Sequence, residues 1–331
     1  MSVLPLLLTL LVFVISLVVV AKGGDLFAEG AENLALSLGV SRALIGLTVV
    51  SFATTSPELS VSLIASVQKS PGIVLGNIIG SCIANIGLIL GLSAITRPLR
   101  VDRRSAKRDG WVMLGFGGIL LILILRGRID WVSSLALITA FSAYLGIAVR
   151  AEYVAGRSRR FWFWSKREGP QISRGRILLD FVVGAVMVVL GSWGLVQSGV
   201  RIARTLAIPE FVIGLTIISV GTSLPELVTA ATTTRKRREE ISIGNVVGAN
   251  IMNLTWVLGL AAVARTILVR VDVGVTYSAI MLVMMALLMV FMNRGLTIYR
   301  TEGAALFVAY ALYVAYIALR PEAIGNGLEL S

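Results

Sequence analysis

The 331-residue chain contains no histidine and a single cysteine, Cys82. Without imidazole, the commonest transition-metal ligand and the usual general base are missing. One thiol makes neither an internal disulfide nor a thiolate cluster. Charge is scarce too: 15% of residues are Asp, Glu, Lys or Arg, against 56% hydrophobic. A hydrolase built on a nucleophile and its base finds few parts here. Any metal the chain handles should be a hard ion held by oxygen.

What the chain has instead is apolar length. Continuous apolar runs of roughly twenty residues recur from end to end, the mark of spanning helices. A transmembrane barrel would need segments of about ten residues with alternating polarity, which do not occur. The formal net charge is +12, but the Lys and Arg residues sit in short loops between apolar runs. There they act as topology signals, not as a groove for nucleic acid. No basic segment precedes the first apolar run and no small-residue cleavage site follows it before Lys22, so it is expected to be a spanning helix and not a removed signal peptide.

Ten spans are expected. The first runs from Leu4 to Leu38, with a break at Gly23-Gly24 and an amphipathic second half. The others are 42–67, 73–95, 110–125, 131–149, 177–207, 211–234, 241–264, 271–292 and 301–319. A charged loop, Arg97 to Asp109, follows the third. The polar segment 150–176 divides the chain into a first half, 1–149, and a second, 177–331. Its run of Arg159-Arg160-Phe161-Trp162-Phe163-Trp164 suits a headgroup-layer anchor, with lipid sensing as the alternative. Basic clusters at Arg97–Arg108, Arg150–Arg176 and Arg235–Arg238 fall on one side of this layout. That side is expected to be cytoplasmic, which puts both termini outside a cell membrane.

One stretch occurs twice. Gly46 to Leu59 contains Ser51-Phe-Ala-Thr-Thr-Ser-Pro-Glu58-Leu59, and Gly214 to Leu227 contains Ser219-Val-Gly-Thr-Ser-Leu-Pro-Glu226-Leu227. Subtracting 58 from 226 gives an offset of 168, and the match continues without gaps. Gly76-Asn77-Ile-Ile-Gly80 aligns with Gly244-Asn245-Val-Val-Gly248, Asn85 with Asn253, and Gly23 with Gly191. The motif-bearing segments are 46–95 and 214–263. Five spans per half is an odd number, so the second half enters the membrane from the opposite side. The fold class expected is an all-α polytopic membrane protein of two inverted five-helix repeats, with its site at the repeat interface near the midplane.

Each glutamate stands inside an apolar run, the one Lys or Arg of either span being Arg42 at the far end from Glu58, an expensive placement that asks for a cation. Each follows a proline, which removes a backbone donor and breaks the helix near Pro57-Glu58 and Pro225-Glu226. The freed carbonyls of Ala53 and Gly221 are candidate ligands for Na⁺ or Ca²⁺. On a helix, Thr54 and Thr55 share a face with Glu58, as Thr222 and Ser223 do with Glu226. Asn77, Ser81 and Asn85 recur every four residues, as do Asn245, Ala249 and Asn253. The bland alternatives are hydroxyls bonded to their own helix and asparagines acting as interhelical glue, the latter expected for Asn77 and Asn245.

These motifs resemble the α-repeats of the cation/calcium exchanger superfamily, and the chain resembles a compact prokaryotic sodium/calcium exchanger. The Thr-Thr-Ser-Pro-Glu and Thr-Ser-Leu-Pro-Glu forms look like the sodium-coupled branch. The resemblance implies four cation sites in a diamond. Glu58 and Glu226 would bind Ca²⁺ with backbone oxygens near Thr54 and Thr222. Ser51, Thr55 and Ser81 would line an inner Na⁺ site; Ser219, Thr222 and Ser223 an outer one. Asn85 and Asn253 would flank the middle. Three positions depart from family patterns: Ala249 stands where a Ser is frequent, Asn253 where some relatives, including potassium-dependent ones, carry Asp, which argues against potassium coupling, and Cys82 where an Asn is usual.

The charge arithmetic suits exchange. Two carboxylates carry −2, one Ca²⁺ neutralises them, and three Na⁺ would leave +1, so a three-for-one cycle would move charge. The expected activity is Na⁺/Ca²⁺ antiport by a single chain in the bilayer, with no cofactor beyond the transported Ca²⁺ and Na⁺. The alternative is a proton/Ca²⁺ antiporter using the same glutamates.

Overall fold

The computed structural model describes residues 3–37, 51–103, 105–154, 173–206, 208–235 and 239–319. The start of the expected second span, the segment Gly46–Val50 of the first motif copy, most of the polar segment 150–176 and all of the Arg235–Arg238 cluster beyond Arg235 lie outside the described residues.

The first half opens with a long helix, α1 (Val3–Ser37). It continues through α2 (Ser51–Thr54), α3 (Ser56–Val67), α4 (Pro71–Ala84), α5 (Gly91–Thr96), α6 (Gly110–Leu125) and α7 (Trp131–Val154). The second half runs through α8 (Arg174–Leu206), α9 (Glu210–Ile213), α10 (Ser219–Thr222), α11 (Leu224–Arg235), α12 (Glu239–Met252), α13 (Leu258–Ala264), α14 (Val271–Asn293) and α15 (Arg300–Leu319). The starts of α2 and α10, α3 and α11, and α4 and α12 each differ by 168 residues. So do the wide π-helical turns that begin at Asn85 and Asn253. The repeat read in the sequence is therefore a repeat of local structure.

Among the described residues, eight helices are long and apolar enough to cross a membrane. A ninth candidate is the α9–α10 segment joined to α11 across a bend of 41°. α2 and α3 are what is described of the expected second span. Short β-pairs tie the ends of the bundle: β1 (Leu99–Arg100) with β4 (Thr297–Ile298), and β2 (Arg128–Ile129) with β3 (Ile267–Leu268), all antiparallel. β1 lies within the expected charged loop, and among the described residues the regular structure is helical apart from these four two-residue strands.

α1 is one continuous helix, which corrects the expected break at Gly23-Gly24. Helix-breaking by glycine is weak inside a membrane bundle, where a missing side chain serves close packing instead. Gly23 of α1 sits against Met187 and Val188 of α8, and Gly191 of α8 sits against Val19 and Val20 of α1. Gly30 meets Phe181, and Gly184 meets Phe27. Numbers rise along one helix as they fall along the other, so α1 and α8 pack antiparallel through equivalent residues.

The stretches 71–96 and 242–264 are the most buried of the long helices. Their apolar faces, among them Ile73, Ile78, Ile79, Ile83, Val246, Val247 and Ile251, make the core with Met281, Met285 and Leu288 of α14. Outward-facing apolar side chains such as Leu11, Leu190, Trp193, Val283 and Leu312 remain exposed, as a lipid-facing surface requires.

Candidate functional site

The helix breaks fall at Thr55 and Ser223, two residues before each proline and not at the Pro-Glu pair itself. Proline needs no hydrogen-bonded N–H in the first turn of a helix, so Pro57 opens α3 instead of interrupting it. The break still frees a carbonyl. Pro57 cannot donate to Ala53, and the Ala53 oxygen accepts from the Ser56 hydroxyl at 2.7 Å. Leu224 occupies the equivalent place in the second copy and has no hydroxyl to offer Gly221.

Both glutamates lie in the first turn of the helix that follows the break, and both are fully buried. The Ser223 hydroxyl donates to Glu58 Oε1 at 3.0 Å. Thr222 stands beside the same carboxylate. The hydroxyls of Thr54 and Thr55 face Glu226, short of hydrogen-bond geometry. Each carboxylate thus faces hydroxyls of the opposite half, and only Glu58 accepts a hydrogen bond from them. Helical spacing alone places them with the glutamate of their own half. The broken segments cross, and the two carboxylates come close enough to interact electrostatically.

Three of the four carboxylate oxygens, Glu58 Oε2 and both of Glu226, have no hydrogen-bond partner among the described residues, and neither does Thr55 Oγ1. No ion pair to either glutamate is present among the described residues. A buried carboxylate left so is compensated by a cation or a proton. The described residues hold no group of three Asp, Glu, Cys or His side chains. Neutral oxygens therefore have to complete any cation shell, which favours hard ions.

The remaining residues arrange around this pair. Ser51 and Ser219 are buried on the short helices before the breaks, and their carbonyls accept from Thr55 N and Thr54 Oγ1, and from Ser223 N and Thr222 Oγ1, respectively. Ser81 reaches across to the second half, lying 3.4 Å from the Ser219 carbonyl and 3.5 Å from Thr222 Oγ1. Its hydrogen bonds thus join it to Ser219 and Thr222 of the second half. Asn85 donates to Asn250 Oδ1 at 2.9 Å, while its own oxygen has no partner among the described residues. Asn253, equally buried, has none for either side-chain atom.

Two features went unread in the sequence. Asn250 is fully buried at the centre, accepting from Asn85 and donating to the Cys82 carbonyl at 3.3 Å. Its equivalent in the repeat is Cys82, so the unusual cysteine and this asparagine face each other across the interface. The departure at Cys82 was the available signal. Asn77 does act as hydrogen-bonding glue: it donates to the Glu58 carbonyl at 3.2 Å and Ser62 Oγ at 3.0 Å, and accepts from Thr222 at 3.1 Å. Asn245 has no partner among the described residues. Ser62, which holds Asn77, is replaced at the equivalent position by Ala230.

Known proteins match along most of this chain. A family model described as sodium/calcium exchanger protein matches residues 8–150 and 177–319. The sodium/calcium exchanger MaX1 of Methanosarcina acetivorans is 30% identical, over 93% of this chain and 97% of its own. An uncharacterized membrane protein of Methanocaldococcus jannaschii is 31% identical, over 93% and 97%. Among solved structures, the sodium-calcium exchanger NCX_Mj soaked with Na⁺ and Sr²⁺ superposes with a TM-score of 0.64 at 29% identity, covering 94% of this chain and 98% of that one.

Proposed function

The chain belongs to the sodium/calcium exchanger protein family, and from that premise we propose that it exchanges Na⁺ for Ca²⁺ by alternating access, with Glu58 and Glu226 as the shared cation site. The observation that carries this is the crossed pair itself: two fully buried carboxylates with three unpartnered oxygens, each faced by hydroxyls of the other half. Thr54, Thr55, Thr222 and Ser223 supply oxygen beside the carboxylates. Ser51, Ser219, Ser81, Asn85 and Asn253 line the surrounding cage. Structures of NCX_Mj soaked with Na⁺ and with Sr²⁺ or Ca²⁺ support the same ions here.

The architecture proposed is ten spans in two inverted five-helix repeats, 1–149 and 177–331, joined by the cytoplasmic segment 150–176. Both termini lie outside the cell membrane, and a single chain is the working unit. The antiparallel packing of α1 on α8 through equivalent residues supports it, as does the reciprocal pairing of β1 with β4 and β2 with β3. Because one carboxylate pair serves both ions, Ca²⁺ and Na⁺ compete. With neither ion bound, the site would carry two negative charges in low dielectric, which opposes reorientation of the empty carrier. Exchange is then obligatory, and at three Na⁺ per Ca²⁺ it moves one charge.

Purified protein in vesicles, at equal pH on both sides, tests the coupling. An outward Na⁺ gradient should drive Ca²⁺ uptake. Uptake that ignores Na⁺ and follows an imposed pH gradient would instead assign proton coupling to the same glutamates.

A further inference from the structure

Cys82 and Asn250 occupy the same place in the two halves, on α4 and α12, each three residues before the asparagine that opens a π-helical turn. Both are fully buried. Each donates to the backbone carbonyl of the other: Asn250 Nδ2 to Cys82 O at 3.3 Å, and Cys82 Sγ to Asn250 O at 3.9 Å. The donors match, but the two side chains differ in what else they can hold.

A backbone carbonyl can only accept, so Cys82 O fixes which end of the Asn250 amide is the nitrogen. That nitrogen also lies 3.7 Å from Met113 Sδ. Asn250 Oδ1 is left to accept, and it accepts from Asn85 Nδ2 at 2.9 Å. Asn85 therefore has its nitrogen turned to Asn250 and its oxygen turned away, and that buried oxygen has no partner among the described residues. The π-helical turn opened by Asn85 packs against α11, the helix of Glu226, whose carboxylate oxygens also have none. Amide and carboxylate oxygens left as acceptors on packed neighbours suit a hard cation. In the other half the relay is cut. The turn opened by Asn253 packs against α3, the helix of Glu58. A thiol has one proton, here given to the Asn250 carbonyl, and its sulfur accepts only weakly. Cys82 thus cannot hold the Asn253 amide, and neither side-chain atom of Asn253 has a partner among the described residues.

We propose that Asn250 is a positioning residue for cation binding: its anchored amide locks the Asn85 oxygen toward the carboxylate pair, and Cys82 leaves Asn253 without the equivalent lock. The inference rests on the antiport reading for the identity of the cation. Asn85 is then a preformed oxygen ligand. Asn253 can present either end of its amide and has to be oriented when the cation arrives, an ordering step that weakens binding.

The test is equilibrium binding of Ca²⁺ to the purified full chain without Na⁺, with thermal unfolding measured alongside. Asn250→Cys copies the first-half arrangement onto the second and releases Asn85, so Ca²⁺ should bind roughly tenfold more weakly. Cys82→Asn supplies the missing lock for Asn253 and should tighten binding by roughly the same factor. The double variant moves the lock from Asn85 to Asn253 and should return the affinity to near that of the unmodified protein. A merely structural Asn250 predicts a lower melting temperature, an unaltered affinity and no gain from Cys82→Asn. Unchanged affinity in Asn250→Cys, no gain in Cys82→Asn, or a loss that the double variant does not restore overturns the proposal. Each single variant decides alone if the other fails to fold. Na⁺-driven Ca²⁺ flux in the unmodified protein separates the two ideas. Flux with an affinity indifferent to residues 82 and 250 sinks the positioning role alone. Affinities that follow the lock without flux sink the antiport reading and leave a Ca²⁺ site. A protein that binds no Ca²⁺ sinks both.

Discussion

Asn77 and Asn245 are the same residue at equivalent places, and they do different work. Asn77 holds three groups on two helices together, whereas Asn245 holds none among the described residues. Asn77→Ala should therefore cost about 1–3 kcal/mol, because Ser62 and Thr222 lose a buried partner. Asn245→Ala should cost far less. Thermal unfolding of the two variants in detergent checks the contrast. At the glutamates the expected effect is on transport and not on folding. Glu58→Gln and Glu226→Gln keep shape and volume but remove charge, so each should abolish Na⁺-driven Ca²⁺ uptake while the protein still purifies folded. A purely structural role would leave uptake intact. The glutamates, prolines and hydroxyls could be read from the sequence, because an unpaired charge in an apolar run stands out and a constant offset pairs it with its twin. Which hydroxyl serves which carboxylate could not. Helical spacing puts Thr55 with Glu58, and only the crossing of the broken segments puts it with Glu226.

At the scale of elements, α1 and α8 form an antiparallel pair whose equivalent glycines admit the other helix's backbone. Gly24 of α1 faces both breaks at once: a Cβ added there would lie 2.9 Å from Pro225 Cγ and 3.3 Å from Pro57 Cγ. If α1 and α8 slide together over the rest to change access, Gly24 is the surface they slide on. Gly24→Val should then slow exchange roughly tenfold or more, with Ca²⁺ still bound at equilibrium, since the transition and not the cation site is obstructed. Flux and equilibrium binding on the same preparation check this. The sequence shows these glycines but not their use. A Gly-Gly pair reads as a bend in isolation, and only the partner helix reveals it as a contact. The π-helical turns at Asn85 and Asn253 carry no compositional signal, because one extra residue per turn leaves the apolar pattern nearly unchanged.

For the whole molecule, duplication explains most of what was legible. An offset of 168 residues predicts equivalent helices, and α2, α3 and α4 meet their counterparts at that spacing. The pairing of β1 with β4 and β2 with β3 joins residues almost 200 and 140 positions apart, and no local pattern announces it. Charge balance makes the whole-molecule prediction. A cycle of three Na⁺ for one Ca²⁺ moves one net charge, worth about 2.3 kcal/mol per 100 mV. Under a fixed outward Na⁺ gradient, an inside-positive potential should accelerate Ca²⁺ uptake and an inside-negative one retard it; valinomycin-clamped vesicles measure this, and an indifferent rate would mean an electroneutral cycle. The central claim is narrower, that Glu58 and Glu226 hold Ca²⁺ or Na⁺ in turn at one place. Structures determined across a Na⁺ series at fixed Ca²⁺ test it most directly. The account predicts Ca²⁺ about 2.3–2.6 Å from oxygens of both glutamates at low Na⁺, replaced at that place by Na⁺ as Na⁺ rises. Calcium bound away from the pair, or unmoved by saturating Na⁺, would contradict it.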